Sequence, residues 1–161
     1  MHRSISSSKD LDPKHDYLGR RGVEFETAKR FGLGFCARGR MAGRIAIPIH
    51  DRSGKLVGYA GRIVEPPEPP KDVPKYLFPG KRNHKGVTYE FKKLFLLYNA
   101  HRLVTPVKDL IIVEGFPSVW WLTQNGFPDC VAVMGDFISE EQACIALSLV
   151  NLRPRKSIFG W

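Results

Sequence analysis

The sequence contains few cysteines and no long apolar run. Its three cysteines are scattered, and none belongs to a CxxC pair or has a nearby histidine partner. We therefore expect reduced, mostly buried thiols at Cys36, Cys130 and Cys144, without disulfides or a structural zinc site. No segment approaches the roughly eighteen apolar residues that a transmembrane helix needs, and the start MHRSISSSKD has no apolar stretch typical of a signal peptide. These absences predict a cytoplasmic protein that does not bind membranes.

Basic residues are concentrated in the first part of the chain. The 161 residues carry 25 Lys and Arg against 16 Asp and Glu, a formal net charge of +9. Residues 1–100 contain 20 Lys and Arg against 10 Asp and Glu, whereas residues 101–161 contain 5 against 6. A basic side chain that neutralises a phosphate releases a counterion and gains affinity, so this asymmetry favours a surface that binds a polyanion. The alternative is a basic surface that is only solvated.

The first part predicts mixed helical and extended structure. The Ser-rich leader at 1–12 has too few apolar groups to offset the entropy of ordering, and we expect it to be disordered. Apolar spacing predicts a short helix over 24–31, closed by a glycine. Residues 45–60 read as a β-hairpin in which Pro48 puts its strand at an edge or an end. Five prolines within 65–74 predict a surface loop.

The second part predicts a parallel α/β unit. An apolar segment over 95–103 favours a helix, and the continuous apolar run at 110–113 is typical of a strand covered on both faces. A helix is expected from Pro117, followed by a second strand over 130–134. The S-x-x-Q sequence at 139–142 has the form of a capping box that begins another helix. Strands and helices that alternate in this way require crossover connections, so we predict the α/β fold class with a parallel sheet.

Glu114 is the candidate metal-binding or catalytic residue of this second part. It follows four apolar residues directly, at the end of the predicted strand, where parallel sheets place their ligands. A carboxylate at that position can bind a divalent cation through oxygen or act as a general base. It can equally cap a helix or pair with a basic residue. Spacing alone leaves these alternatives evenly balanced.

Sequence motifs in both parts resemble one family. Residues 110–135, LIIVEGFPSVWWLTQNGFPDCVAVMG, are similar to the opening of a Toprim domain as found in DnaG-type bacterial primases. In that family a strand ending in Glu-Gly is followed by a helix and a second strand ending in Gly. Upstream, the chain resembles the basic N-terminal subdomain of the same primase core, in the same order. The upstream motifs are YLGRRGV at 17–23, FGLGF at 31–35, GRIAIPIHDRSGKLVGYAGR at 43–62, PKYL at 74–77 and HKG at 84–86.

The resemblance covers about residues 17–150. After the disordered leader that composition predicts at 1–12, it implies a basic primase-core subdomain at 13–104 and a partial Toprim domain at 105–161. The implied function is a primase-like catalytic core that binds a single-stranded DNA template and nucleoside triphosphates. It would contribute to Mg²⁺- or Mn²⁺-dependent synthesis of RNA primers, with a replicative helicase as a further partner.

The resemblance also implies roles for individual residues. Glu114 corresponds to the family's catalytic, metal-binding glutamate. A guanidinium group can bind a phosphate through two hydrogen bonds, and an aromatic ring offers a base a face for stacking. The positions that correspond to template- or nucleotide-binding residues of the family are Arg21, Arg44, Arg62, Lys75, Tyr76 and Lys85.

The chain departs from the family pattern in its carboxylates. Many members have an acidic residue four positions after the Toprim glutamate, where this chain has Ser118. The family's D-x-D motif would follow a third strand, which we predict at 156–159, so residues 1–161 are expected to contain only part of the metal site. Asp129 and Asp136 flank the strand ends and are candidate substitutes, although neither lies at a matching motif position.

Two rival functions stay open at this stage. One is a non-catalytic, nucleic-acid-binding Toprim remnant from a mobile element or phage. The other is a structural or protein-interaction role, for which the only indication is the Trp120-Trp121 pair, a kind of pair that more often belongs to a core.

Overall fold

A computed structural model describes residues 11–64, 73–84 and 86–150 of the chain. The chain divides into two compact units. The first, which we call the basic unit, comprises Met1–His50 and Leu56–Phe91; the second, the parallel unit, comprises Asp51–Lys55 and Lys92–Trp161.

The basic unit is built on a five-stranded antiparallel sheet whose strands follow one another in chain order. The long pair β3 and β4 is its centre, with Ile47 opposite Ala60, and both of these residues are fully buried. The antiparallel pairing of β3 with β4 confirms the predicted hairpin at 45–60. A separate two-stranded hairpin, β6–β7, follows the sheet. The strands of this unit are β1 (Leu11–Asp12), β2 (Gly34–Cys36), β3 (Arg44–His50), β4 (Leu56–Ile63), β5 (Tyr76–Leu77), β6 (Arg82–His84) and β7 (Val87–Tyr89).

Two short helices precede β2. Helix α1 (Asp16–Arg20) buries Leu18, and α2 (Phe25–Phe31) buries Ala28 and Phe31. Helix α2 ends at Gly32, whose φ of 67° lies in the left-handed region that glycine adopts without steric cost. The predicted helix and its glycine stop are confirmed.

The end of the leader is ordered, contrary to the prediction for 1–12. Leu11 and Asp12 form β1, which pairs antiparallel with Cys36 and Phe35 of β2. Leu11 also packs against the buried cluster of Cys36, Met41 and Ala46, and this apolar contact offsets the entropy of ordering the strand. The prediction of disorder was therefore wrong for the last two residues of the leader, and residues 1–10 lie outside the described part of the chain.

Pro48 does not place its strand at the edge of the sheet. Strand β3 lies between β2 and β4, so of the two predicted alternatives, an edge or an end, the edge was wrong. However, the short β2 pairs only with residues 44–46 of β3. Pro48 therefore lies where β3 has β4 as its one strand neighbour in the sheet, and its missing N–H removes no hydrogen bond to β2.

The parallel unit contains the predicted alternation of strands and helices. Strands β8 (Ile111–Val113) and β9 (Cys130–Ala132) are parallel, with Ile112 opposite Val131. Helix α3 (Phe116–Gln124) begins after Gly115, with Pro117 in its first turn, and helix α4 (Glu140–Leu149) begins with the capping box of Ser139 and Gln142. The parallel pairing and the capping box are confirmed, and with them the α/β fold class.

Two details of this unit differ from the prediction. Residues 95–103 do not form an α-helix: 3₁₀ turns occur at Lys93–Phe95 and Ala100–Arg102, and between them Tyr98 exchanges two backbone hydrogen bonds with Ala132. This pairing with β9 supplies backbone partners that a helix would otherwise provide. In addition, Ile112 is 44% exposed, so β8 is not covered on both faces.

Aromatic residues fill the space between β9 and α3. Tyr98 is buried, its hydroxyl oxygen accepts a hydrogen bond of 3.0 Å from Trp120 Nε1, and its ring meets Phe116 edge-on. Of the Trp120-Trp121 pair, Trp120 therefore belongs to the core, whereas Trp121 is 57% exposed. Cys36 and Cys130 are buried, Cys144 is exposed, and all three are free thiols.

Some predicted features fall outside the described residues. These are most of the proline-rich loop, at 65–72, and the third strand at 156–159. Among the helices that the structure describes, none has the length and apolar character needed to cross a membrane.

Candidate functional site

Several predicted binding residues of the basic unit lie together. Arg62 on β4 is directly opposite Tyr76 on β5 in the strand register. The guanidinium carbon of Arg62 lies 5.0 Å from the centroid of the Tyr76 ring, and its Nε donates a hydrogen bond of 3.0 Å to the hydroxyl of Tyr17. The cation thus connects two tyrosines that are far apart in sequence. We call Tyr17, Arg62 and Tyr76 the tyrosine–arginine cluster.

The electrostatics of Tyr76 reflect this arrangement. Burial raises the pKa of Tyr76 above its ordinary value, while the charges of Arg62 and, to a smaller extent, Arg21 oppose the shift. The phenol is therefore neutral at physiological pH and can donate a hydrogen bond. Arg21 itself is exposed at the end of α1. The structure thus brings together Arg62 and Tyr76, and the charge of Arg21 also acts on the phenol of Tyr76.

Arg44 has different surroundings. It is 7% exposed, and its Nη1 donates hydrogen bonds to the carbonyl oxygens of Gly61, at 3.1 Å, and Pro74, at 3.0 Å. Burial lowers the pKa of Arg44. A Cβ atom at Gly61 would lie 2.5 Å from Met41 Sδ and 2.9 Å from Arg44 Cδ, so a larger residue there would require these side chains to move. These contacts connect β3 to β4 and to the residues before β5 and leave little of the guanidinium for a phosphate, so the binding role of Arg44 remains a prediction.

The structure describes one of the remaining two predicted basic residues. Lys75 is exposed beside Tyr76, and its carbonyl oxygen accepts a hydrogen bond from the backbone N–H of Ile63. Because Lys75 is exposed, its ammonium group is accessible to a phosphate. Lys85 lies outside the described residues.

Glu114 occupies the expected position in the parallel unit. It follows β8 directly and is exposed, and its backbone carbonyl accepts a hydrogen bond of 2.8 Å from the N–H of Met134. This bond continues the pairing of the two strands beyond their last residues. Glu114 and the segment after β9 therefore lie at the same, carboxyl end of the sheet.

The two candidate substitute carboxylates lie at opposite ends of the strands. Asp129 precedes β9, and its carbonyl oxygen accepts from the N–H of Ile111, so it lies at the amino end, away from Glu114. Asp136 follows β9 at the carboxyl end and is exposed. Across residues 11–64, 73–84 and 86–150, no group of three or more His, Cys, Asp or Glu could hold a metal ion. Glu114 is thus an available oxygen ligand, but the described residues do not form a complete metal site around it.

Lys93 is a basic residue of this region that the sequence analysis did not single out. A Cβ atom at Gly135 would lie 2.9 Å from Lys93 Nζ, so the ammonium group lies against the backbone just after β9. The buried Gln142 side chain fixes this segment, because its Nε2 donates to the carbonyl oxygens of Leu96, at 2.8 Å, and Val133, at 2.9 Å. The capping box was the available sequence signal, but it did not show that the Gln142 amide also binds residues before β8.

Comparisons with known proteins identify the relatives of this chain. No protein-family model matches it. A DNA primase from Legionella pneumophila is 31% identical over 155 residues, which cover 74% of this chain and 25% of that protein. A DNA primase from Geobacillus stearothermophilus is 28% identical, with 89% of this chain and 28% of that protein covered. The chain therefore spans about a quarter of the length of these curated relatives.

Solved structures show the same fold. The catalytic domain of a DnaG primase bound to single-stranded DNA superposes with a TM-score of 0.69 at 22% identity, covering 88% of this chain and 55% of that one. A DNA primase domain from Pseudomonas aeruginosa superposes with a TM-score of 0.65 at 25% identity, covering 84% and 50%. By sequence and by fold, this chain corresponds to part of the catalytic core of DnaG-type bacterial primases, with a basic N-terminal subdomain followed by the opening of a Toprim domain.

Proposed function

We propose that this chain binds a single-stranded DNA template through its basic unit and contributes, through Glu114, to the synthesis of RNA primers during DNA replication. The observation that carries the proposal is the tyrosine–arginine cluster, which sets a cation and aromatic rings side by side in a unit related to primases. A structural neighbour of this chain is bound to single-stranded DNA. This relationship favours a catalytic core over the non-catalytic remnant, and nothing in the comparisons points to a mobile element.

The cluster and the basic residues near it supply the two kinds of contact that a single strand needs. Arg62 and the exposed Arg21 and Lys75 can each neutralise a phosphate, and every such contact releases counterions. Tyr76 offers a ring on which a base can stack. The binding residues proposed here are those of the basic unit alone.

Glu114 is the residue that we assign to the chemistry. Primer extension forms a bond between a 3′-hydroxyl oxygen and the α-phosphorus of a nucleoside triphosphate and breaks the bond to pyrophosphate. A bound divalent cation would neutralise charge on these phosphate oxygens. Mg²⁺ is commonly held by one or two carboxylates together with substrate phosphates and water, and the exposed Glu114 carboxylate fits one of these positions. A replicative helicase as a partner stays a prediction.

The test is Glu114→Gln, which keeps the shape of the side chain and removes its charge. Primer synthesis is measured with Mg²⁺ or Mn²⁺ on a single-stranded template, for this chain and in parallel for the product of its whole reading frame. We expect the variant to lose product formation by at least about 100-fold, as the loss of an electrostatic catalytic group typically does. Its affinity for template DNA should be unchanged, because the basic unit is intact.

The matched control is Asp129→Asn, which removes a carboxylate at the opposite end of the same strands. This variant should synthesise primers like the unchanged protein. Normal priming by Glu114→Gln would show that our assignment of its role is wrong. A chain that showed no salt-dependent binding of single-stranded DNA would instead support the structural or protein-interaction alternative.

A further inference from the structure

Three aromatic rings form a row on the basic unit. Tyr76 and Phe78 are two residues apart in sequence, and their ring centroids are 6.4 Å apart at an interplanar angle of 36°. Phe78 in turn stacks against Phe91, with centroids 5.9 Å apart and an angle of 17°. Each of the three residues is half-buried. We refer to Tyr76, Phe78 and Phe91 as the aromatic row.

The row is not part of the main core of the unit. That core is formed by residues of β3 and by helix α2, such as Ile45, Ile47 and Phe31, which are almost completely inaccessible to solvent. Residues of the aromatic row all retain accessible surface instead. Rings that serve only to fill a core are expected to be buried more completely, since their stabilisation grows with the area removed from water.

Cationic side chains lie beside the row. The guanidinium of Arg62 covers one face of its first ring, at 5.0 Å. The exposed Lys75 directly precedes Tyr76, and Glu90, the one acid within residues 75–91, lies 3.2 Å from Lys81 Nζ. The guanidinium of Arg40 lies close to the backbone at Gly80, where a Cβ atom would be 2.9 Å from Nη2. Cations interleaved with aromatic faces are the arrangement that binds the backbone and the bases of an unpaired strand together.

We propose that the aromatic row stacks against unpaired bases of a single-stranded nucleic acid whose phosphates are bound by the neighbouring Lys and Arg side chains. The nature of the ligand rests on the function proposed above. The new elements are two further stacking residues, Phe78 and Phe91, which extend the contact with bases beyond Tyr76. Stacking is tolerant of sequence because every base has an aromatic face, so the row would bind different templates alike.

The experiment compares two oligomers of equal length and charge, an oligodeoxythymidylate and its abasic counterpart. The variant is Phe78→Leu with Phe91→Leu in the full chain, which keeps apolar volume but removes both rings. We expect the affinity for the oligodeoxythymidylate to fall about 10-fold and the affinity for the abasic oligomer to stay the same. The salt dependence of binding should not change, because no charge is removed.

A matched control is available in the same unit. Phe25 on α2 is 43% exposed and has Lys14 Nζ at 5.5 Å from its ring centroid, so it too is an accessible phenylalanine beside a cation. Phe25→Leu should leave both affinities unchanged. Circular dichroism and thermal unfolding of each variant verify the fold.

The possible outcomes separate this inference from the proposed function. An equal loss of affinity for both oligomers, or no loss of affinity for either, would overturn the stacking proposal but would not contradict template binding by the basic unit. A change in sedimentation of the free double variant with unchanged DNA affinity would make the row a contact between protein copies and would also overturn it. Absence of any single-strand binding by the unchanged chain would contradict the proposed function instead.

A second measurement needs no substitution and holds even if the double variant fails to fold. The unchanged chain is irradiated with an oligomer that carries 5-iodouracil, and the crosslinked peptides are identified by mass spectrometry. We expect adducts at the rings of Phe78 or Phe91. Adducts confined to other parts of the chain would overturn the proposal.

Discussion

Arg44 and Arg62 occupy neighbouring positions in the β3–β4 ladder, yet their guanidinium groups have different partners. Arg44 pairs with Ile63, the residue after Arg62. Its side chain is buried and donates to two carbonyl oxygens, whereas that of Arg62 is half-buried against two tyrosines. Both arginines belong to one motif in the sequence, and only their burial distinguishes a residue that connects strands from one that can reach a ligand.

At the residue scale we predict that Arg44→Met and Arg62→Met act differently. Arg44→Met leaves the carbonyl oxygens of Gly61 and Pro74 without their donor and should lower the free energy of unfolding by about 1–3 kcal/mol, measured in urea. Arg62→Met should cost less stability and weaken binding to single-stranded DNA more. If Arg44→Met kept full stability but bound DNA poorly, Arg44 would be a phosphate ligand rather than a structural residue.

At the element scale, glycine positions determine how closely strands approach. A Cβ atom at Gly34 on β2 would lie 2.7 Å from Leu11 Cβ and 3.0 Å from the backbone nitrogen of Asp12. Real Cβ atoms essentially never approach another atom as closely as 2.7 Å, so the close pairing of β1 with β2 depends on glycine at position 34. This glycine belongs to the FGLGF motif, and only the structure of the sheet shows why a glycine is needed at this position.

We therefore predict that Gly34→Ala detaches β1 from the sheet. Amide hydrogen exchange at residues 11, 12, 35 and 36 should become faster, while the β3–β4 pair stays protected. Gly19→Ala in α1 is the control, because nothing lies within 4 Å of its Cβ position. Unchanged exchange at β1 in Gly34→Ala would mean that the strand can shift to accept the methyl group.

At the scale of the whole molecule, the charge asymmetry of the sequence agrees with the roles that we propose for the two units, DNA binding for the basic unit and chemistry for the parallel unit. Twenty of the 25 basic residues precede position 101, and the described basic unit contains the tyrosine–arginine cluster. The carboxylate assigned to chemistry belongs to the near-neutral parallel unit. Substitutions can then affect DNA binding and primer synthesis separately, because the proposed binding residues and Glu114 belong to different units.

This arrangement predicts a specific dependence on salt. The logarithm of the binding constant for a single-stranded oligomer should fall linearly with the logarithm of the salt concentration. Arg21→Ala and Lys75→Ala should each reduce the steepness of this slope by about 0.7, the contribution of one phosphate contact on a single strand. Glu114→Gln should leave the slope unchanged. Slopes that did not respond to Arg21→Ala or Lys75→Ala would show that these residues do not contact phosphates.

Local patterns in the sequence determined several features by themselves. The glycine stop of α2, the capping box of α4, the β3–β4 hairpin and the position of Glu114 at a strand end depend on residues within a few positions of one another. Interactions of such short range are encoded in spacing and residue type, so they can be predicted from the chain alone.

Only the tertiary structure decided the features that depend on distant residues. The pairing of Tyr98 with Ala132 replaced a helix, the short β2 left room for Pro48 in a central strand, and β1 joined the sheet because Gly34 admits Leu11. The same is true of the site: Tyr17, Arg62 and Tyr76 meet across the fold, while Arg44 is buried by carbonyl groups that no spacing predicts. Burial and long-range hydrogen bonds are properties of packed surfaces, and they arise only when separate elements come together.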